Sequence, residues 1–182
     1  VPRGRFITIE GGEGAGKSTQ ARALAHRLLE RGIPVVLTRE PGGTAGAEAA
    51  RAVLLSDAGN ALGPDAEALL FAAARADHVD RLIRPALARG EWVIADRFAD
   101  STDVYQGTAG ASRELLSDLR RAALDGIEPD LTFVLDLPPG VGLARAAARA
   151  RAQRGAADRF ERGKLPEHRQ RRQAFRKLAQ GD

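Results

Sequence analysis

The sequence predicts an α/β fold, a mostly parallel sheet covered by helices on both faces, and three observations predict it. Short, mostly apolar runs such as Phe6-Ile7-Thr8-Ile9, Val35-Val36-Leu37, Trp92-Val93-Ile94-Ala95 and Leu131 to Leu137 have the composition of strands buried on both sides. Longer Ala/Leu/Arg-rich segments separate them, which is the strand–helix alternation of parallel connections. Directly after the first run comes Gly11-Gly12-Glu13-Gly14-Ala15-Gly16-Lys17-Ser18, a complete G-x-x-x-x-G-K-S phosphate-binding loop at a strand-to-helix turn, which makes the expected fold a three-layer P-loop sandwich. With 182 residues, 43% of them hydrophobic, residues 1–182 are expected to form one domain.

Taken in order, Arg5 to Glu10 reads as the first strand and Lys17 to Arg31 as a helix closed by Gly32, a residue suited to a left-handed C-terminal position. Val35 to Arg39 is the second strand. Thr44 caps a helix to about Ser56, and Gly63-Pro64-Asp65 opens a longer one ending near Arg89-Gly90, with a kink expected at Pro85. Trp92 to Asp96 is the third strand, Ser112 to Leu124 a helix, and Leu131 to Leu137 the fourth strand. Pro139 starts a helix through about Arg149, a polar arginine-rich stretch follows, and a last helix covers Glu167 to Ala179. Val1-Pro2-Arg3-Gly4 is set aside from the fold, and methionine is absent even at position 1.

Chemistry enters with the loop. Glycines let the backbone wrap phosphate oxygens closely; Lys17 reaches the β and γ phosphates, the Ser18 hydroxyl ligates Mg²⁺, and Thr19 completes the nucleotide-binding stretch. Ligands of such sheets bind beyond the C-terminal strand ends. There Asp96 is positioned as the carboxylate that holds Mg²⁺ directly or through water, or else as a helix cap or turn former, while Asp136 reads as structural. Cysteine is absent, which excludes disulfides and thiolate metal sites. No apolar run approaches a membrane span and no signal-peptide core is present, so a cytoplasmic protein without a membrane partner is expected. Residues 143–182 carry 12 basic and 4 acidic side chains. Only Phe160 and Phe175 accompany them as stacking groups, so a segment that closes over a polyphosphate is the better reading than nucleic-acid binding.

Glu10-Gly11 leading into the P-loop, Thr38-Arg39-Glu40-Pro41-Gly42-Gly43-Thr44, Phe71-Ala72-Ala73-Ala74-Arg75, Asp96-Arg97-Phe98 and Tyr105-Gln106-Gly107 together resemble bacterial thymidylate kinases from about Arg5 to Ala179. The resemblance implies transfer of the γ-phosphoryl group of ATP to dTMP, with Mg²⁺, in a homodimer. Spacing alone favours a core Phe71 beside a surface Arg75; the resemblance reverses this, implying a phenylalanine stacked on thymine and an arginine donating to its O4. It further implies Tyr105 near the sugar C2′, Gln106 at the thymine N3–H edge, Arg97 and Arg51 on the dTMP phosphate, Pro41 and Ser101 in the same site, and Glu10 at the 3′-hydroxyl or ordering the metal shell. Arg39 is either a further contact or structural.

The P-loop has Glu13 and Ala15 where some relatives place an arginine, so the transition-state cation is expected from an arginine-rich lid at about 149–165, with Arg149, Arg154 and Arg159 as candidates. The resemblance also implies a fifth strand, an adenine-lining loop and a closing helix after the last helix, a segment not found before Asp182. Two other readings are a kinase for another nucleoside monophosphate and a nucleotide-dependent switch; the N-K-x-D guanine motif of the usual GTPases is absent.

Overall fold

The structure, a computed structural model, describes residues 3–152 and 159–181. Its elements are β1 (Phe6–Gly11), α1 (Lys17–Leu29), β2 (Val35–Arg39), α2 (Ala45–Leu55), α3 (Asp57–Asn60), α4 (Pro64–His78), a π-helical turn (Val79–Ile83), α5 (Arg84–Ala88), β3 (Trp92–Asp96), α6 (Ala99–Ala109), α7 (Arg113–Leu124), β4 (Leu131–Leu135), α8 (Pro139–Ala152) and α9 (Leu165–Gln180). All strand pairs are parallel, in the order β2-β3-β1-β4. The register aligns Arg39 and Ile9 with Asp96, and Gly11 with Leu135, so the strand ends that precede the functional loops share one edge.

Two cores explain the layering. On one face Phe6, Val79, Ile83, Leu87, Val93, Phe98 and Leu124 pack together, with the Phe6 and Phe98 rings edge-to-face at 4.9 Å. On the other, Ile7, Ile9 and Ile94 meet Ala21, Ala25 and Leu28, the small residues letting α1 close onto the sheet.

Three expectations need correction. The long helix from Pro64 does not simply kink: the ring of Pro85 excludes the carbonyl four residues back and supplies no N–H, and the chain responds with a π turn in which the Arg84 N–H reaches Val79 O. Helix α6 is not foreseen by the sequence pattern, because Asp100, Ser101, Thr102, Asp103 and Gly107 are weak helix formers. Tertiary packing of Ala99, Val104 and Tyr105 overrides that weakness. Finally, α8 continues to Ala152, so the first residues of the expected lid are helical, and β4 stops at Leu135.

Candidate active site

The P-loop leaves β1 and enters α1 at the sheet edge, and its shape is fixed by backbone contact. Gly14 has φ +66°, and a Cβ there would lie 2.0 Å from Gly142 O at the start of α8; a Cβ on Gly142 would lie 2.1 Å from Glu13 O. Neither position has room for a side chain. Lys17 is nearly buried and donates to Gly12 O at 2.7 Å. Burial, then the charge of Arg97, lowers its ammonium to about 8, against the pull of Glu13, Asp96 and Glu10. Polyphosphate beside Lys17 restores the charged form, so triphosphate binding above pH 8 takes up a proton and affinity weakens as pH rises through 8, by up to about tenfold per pH unit. Calorimetry at pH 8.5 in buffers of different ionisation enthalpy measures the uptake; identical heats would contradict it.

Ser18 Oγ donates to Asp96 Oδ2, so the two oxygens expected at a metal are in contact across the loop and the end of β3. Among the described residues no group of three or more His, Cys, Asp or Glu is arranged to hold a metal. A hydroxyl and one carboxylate suit Mg²⁺, which completes its shell with phosphate oxygens and water.

A cavity of about 200 Å³ opens beside this pair. Its lining unites Pro41, Arg51, Phe71, Arg75, Asp96, Arg97, Ser101, Tyr105 and Gln106 with Glu13 and Ser18 of the P-loop. The sequence thus scattered one site over the ends of β2 and β3 and over α2, α4 and α6. Helix α6 carries Ser101, Tyr105 and Gln106, which explains why an element of weak propensity must be held in place.

Arg97 follows β3 in a left-handed conformation (φ 72°) that non-glycine residues seldom adopt. Its guanidinium donates to Gly11 O, Ser101 Oγ, Glu13 Oε1 (2.8 Å) and Tyr105 Oη, and lies 5.1 Å from the Tyr105 ring centre. Burial raises the Glu13 carboxyl, but Arg97, Lys17 and the Tyr105 hydroxyl outweigh it and hold Glu13 down to about 2. Burial raises the Tyr105 phenol; burial also opposes the Arg97 charge, but Tyr105 and the Glu13, Glu10 and Asp96 carboxylates outweigh it and push Arg97 up.

Arg75 is almost wholly buried. It donates through Nε to Glu40 Oε2 (2.8 Å) and through Nη2 to Phe98 O and Thr102 Oγ1; Nη1 takes no part in these bonds. Glu40 also meets His78 Nδ1 at 3.0 Å, and His78 Nε2 meets Thr38 Oγ1. Arg51 donates to Pro41 O, and Arg39 pairs with Glu48 on the surface.

Several expected residues lie elsewhere. Glu10 is fully buried behind the cavity wall, its two oxygens accepting from the Phe98 N–H (2.7 Å) and Ser101 Oγ (2.6 Å). It fixes the turn that carries Arg97, whereas Glu13, the other glutamate at the loop, lines the cavity. Arg149 pairs with Glu161, and Arg159 pairs with Glu67 and donates to Gly59 O; neither lines the cavity. Arg154 lies outside the described residues. Asp136 receives Arg172 in a two-pronged pair at 2.6 and 2.8 Å, in keeping with a structural role. Phe160, read from sequence only as one of two stacking groups in the basic C-terminal segment, lines the cavity, 6.1 Å from Phe71 and 5.7 Å from Tyr105 between ring centres.

Burial raises Glu10 from 4.5 to about 7, against hydrogen bonds from Ser101 and Phe98. The native state then binds more protons than the unfolded chain between pH 4.5 and 7, so this residue lowers stability as pH rises through that window, by roughly 3 kcal/mol in total. Glu10→Gln removes the effect. Its melting temperature is expected to gain on the parent progressively from pH 5 to 7.5, and parallel curves would refute the assignment.

Residues 9–182 match the family model of thymidylate kinase. The chain is 55% identical over 181 residues to the thymidylate kinase of a Bradyrhizobium strain (BTAi1), covering 99% of this chain and 79% of that protein. It is 56% identical over 179 residues to that of Rhodopseudomonas palustris TIE-1, with 97% and 77% covered. It is 54% identical over 178 residues to that of Afipia carboxidovorans, again with 97% and 77% covered. With a P-loop facing a basic, aromatic-lined cavity and more than half of its residues shared along almost its whole length, this chain belongs to the thymidylate kinase family.

Proposed function

We propose that the cavity between the ends of β2 and β3 and helices α2, α4 and α6 is the dTMP site in which this chain performs its family's reaction, transfer of the γ-phosphoryl group of ATP to dTMP to give dTDP and ADP for dTTP synthesis. The observation that carries the proposal is that one cavity gathers an aromatic and amide set, Phe71, Arg75, Tyr105 and Gln106, together with a phosphate-type set, Arg51, Arg97, Ser18 and Asp96. The first set suits a base, and the second, beside a P-loop, suits the meeting of two phosphates.

In this reading Phe71 stacks on thymine, Arg75 donates to O4, Gln106 accepts from N3–H, and Tyr105 packs against the sugar where a 2′-hydroxyl would clash. Arg51 and Arg97 grip the dTMP phosphate, with Pro41 and Ser101 shaping its surroundings. A phosphate monoester is already an anionic nucleophile, so no general base is required; Lys17, Arg97 and the P-loop amides supply alignment and charge. Ser18 and Asp96 would hold Mg²⁺, which neutralises the β and γ oxygens when bound. Arg149 and Arg159 already face carboxylates, so either one exchanges that partner for phosphate if it is the lid cation; Arg154 is the third candidate. No helix among the described residues is long and apolar enough to cross a membrane. The reading includes a cytoplasmic homodimer, which sedimentation would test.

The direct experiment is Mg²⁺-dependent ADP formation from ATP with dTMP, dUMP, dGMP, AMP, GMP and CMP offered separately. A strong response to dTMP with little from the ribonucleotides is expected. A flat panel over background hydrolysis would overturn the site assignment.

A further inference from the structure

Glu67, Phe71 and Arg75 follow one another at four-residue spacing on α4 and therefore share a face. Phe71 and Arg75 line the cavity. Glu67 does not, yet both of its oxygens are engaged next to it: Oε1 receives Arg159 Nη2, and Oε2 receives Gln106 Nε2 at 3.0 Å. Gln106 is almost fully buried and lines the cavity, and its Oε1 has no hydrogen-bond partner among the described residues.

We infer that Glu67 is a specificity-determining positioning residue, fixing the Gln106 amide so that its carbonyl oxygen, not its NH₂, is offered to the base. The inference rests on the proposal that this cavity holds the base. A carboxylate paired with Arg159 only accepts, so the amide edge facing it must donate. The reversed amide would set Gln106 Oε1 against Glu67 Oε2, acceptor against acceptor, inside the protein. With the NH₂ claimed, the unpartnered Oε1 is complementary to a ring N–H. Thymine has that donor at N3; cytosine has an acceptor there, and its 4-amino group also opposes Arg75. A buried acceptor left facing another acceptor is the kind of mismatch that gives large discrimination. Arg159 serves the same end, since its charge holds the Glu67 carboxylate in place beside the base-reading group.

Glu67→Gln tests this with little change of shape. The carbonyl of the introduced amide is drawn to Arg159, its NH₂ then faces Gln106, and the Gln106 amide reverses. Equilibrium binding of dTMP and dCMP without ATP, measured by calorimetry, is expected to show a preference for dTMP of about 10²-fold or more in the parent. In Glu67→Gln the ratio should fall at least about tenfold, with weaker dTMP and tighter dCMP binding. Glu67→Ala should lose part of the ratio, and ATP affinity should stay within about twofold in both. A parent without preference for dTMP over dCMP would overturn the base-readout reading itself. A parent that prefers dTMP, with variants that keep the ratio or weaken both nucleotides equally, would overturn only the role given to Glu67.

Discussion

Replacing Arg97 with alanine is expected to lower dTMP-dependent ADP formation about 10³-fold or more while leaving a folded protein that still binds ATP. A loss of that size corresponds to roughly 4 kcal/mol of transition-state stabilisation, within the range of a preorganised cation at transferring phosphate. The guanidinium is held in place by four oxygen partners and by the Tyr105 ring, and its backbone is kept in a left-handed conformation at φ 72°. That strain has no role in the hydrophobic core; its effect is to aim one side chain over the P-loop. After truncation, Glu13 still accepts from the Tyr105 hydroxyl at 2.6 Å and still feels Lys17, so the carboxylate is not left bare. The melting temperature should therefore change by only a few degrees. Arg97→Lys separates charge from geometry: a point charge cannot reproduce a planar fork with several donors, and most of the activity should stay lost. Steady-state kinetics at saturating ATP checks both variants, and a loss of less than about tenfold for Arg97→Ala would remove Arg97 from the phosphate site.

What the sequence disclosed follows from how local the underlying physics is. The P-loop, the Thr44 cap and the strand Val35–Arg39 depend on near neighbours, and the structure has them where the pattern put them, with Thr44 Oγ1 accepting from the Ala47 N–H. Helix α6 was hidden because its reason for being helical is the packing of Tyr105 and Val104 against Phe175, far along the chain. Glu10 and Glu13 are both acids at the loop, and tertiary surroundings separate them: one has its oxygens consumed by Phe98 N–H and Ser101 behind the wall, the other faces the cavity against Arg97 and Tyr105. The motif names Gln106 but says nothing of its orientation, which is set by a carboxylate 39 positions away. The arginine-rich segment advertised its charge, yet each arginine's partner is a matter of tertiary contact, as the Arg149–Glu161 and Arg159–Glu67 pairs show.

Gly142→Ala is the second large effect expected, and its sign opposes the one helix propensity gives. Alanine inside a helix is worth about 1 kcal/mol over glycine, so propensity alone predicts a more stable protein. Space decides otherwise. The new methyl would stand 2.1 Å from Glu13 O, a backbone atom that has no rotamer to escape through, and Gly14 presses back on Gly142 O from the other side of the same contact. Either α8 retreats or the P-loop shifts by a sizeable part of an ångström, and a displacement near 1 Å at a phosphate-aligning element costs about 10²-fold in rate. The expected outcome is a lower melting temperature, a raised KM for ATP and kcat reduced about 10²-fold. Gly140→Ala is the matched control: it lies one residue into the same helix and a methyl there meets nothing within 4 Å, so it should be neutral or slightly stabilising with unchanged kinetics. If the two variants behave alike, the backbone contact between α8 and the phosphate loop does not constrain the site. If they diverge as expected, the close backbone approach of α8 to Glu13 and Gly14 is what holds the phosphate loop in its aligned shape.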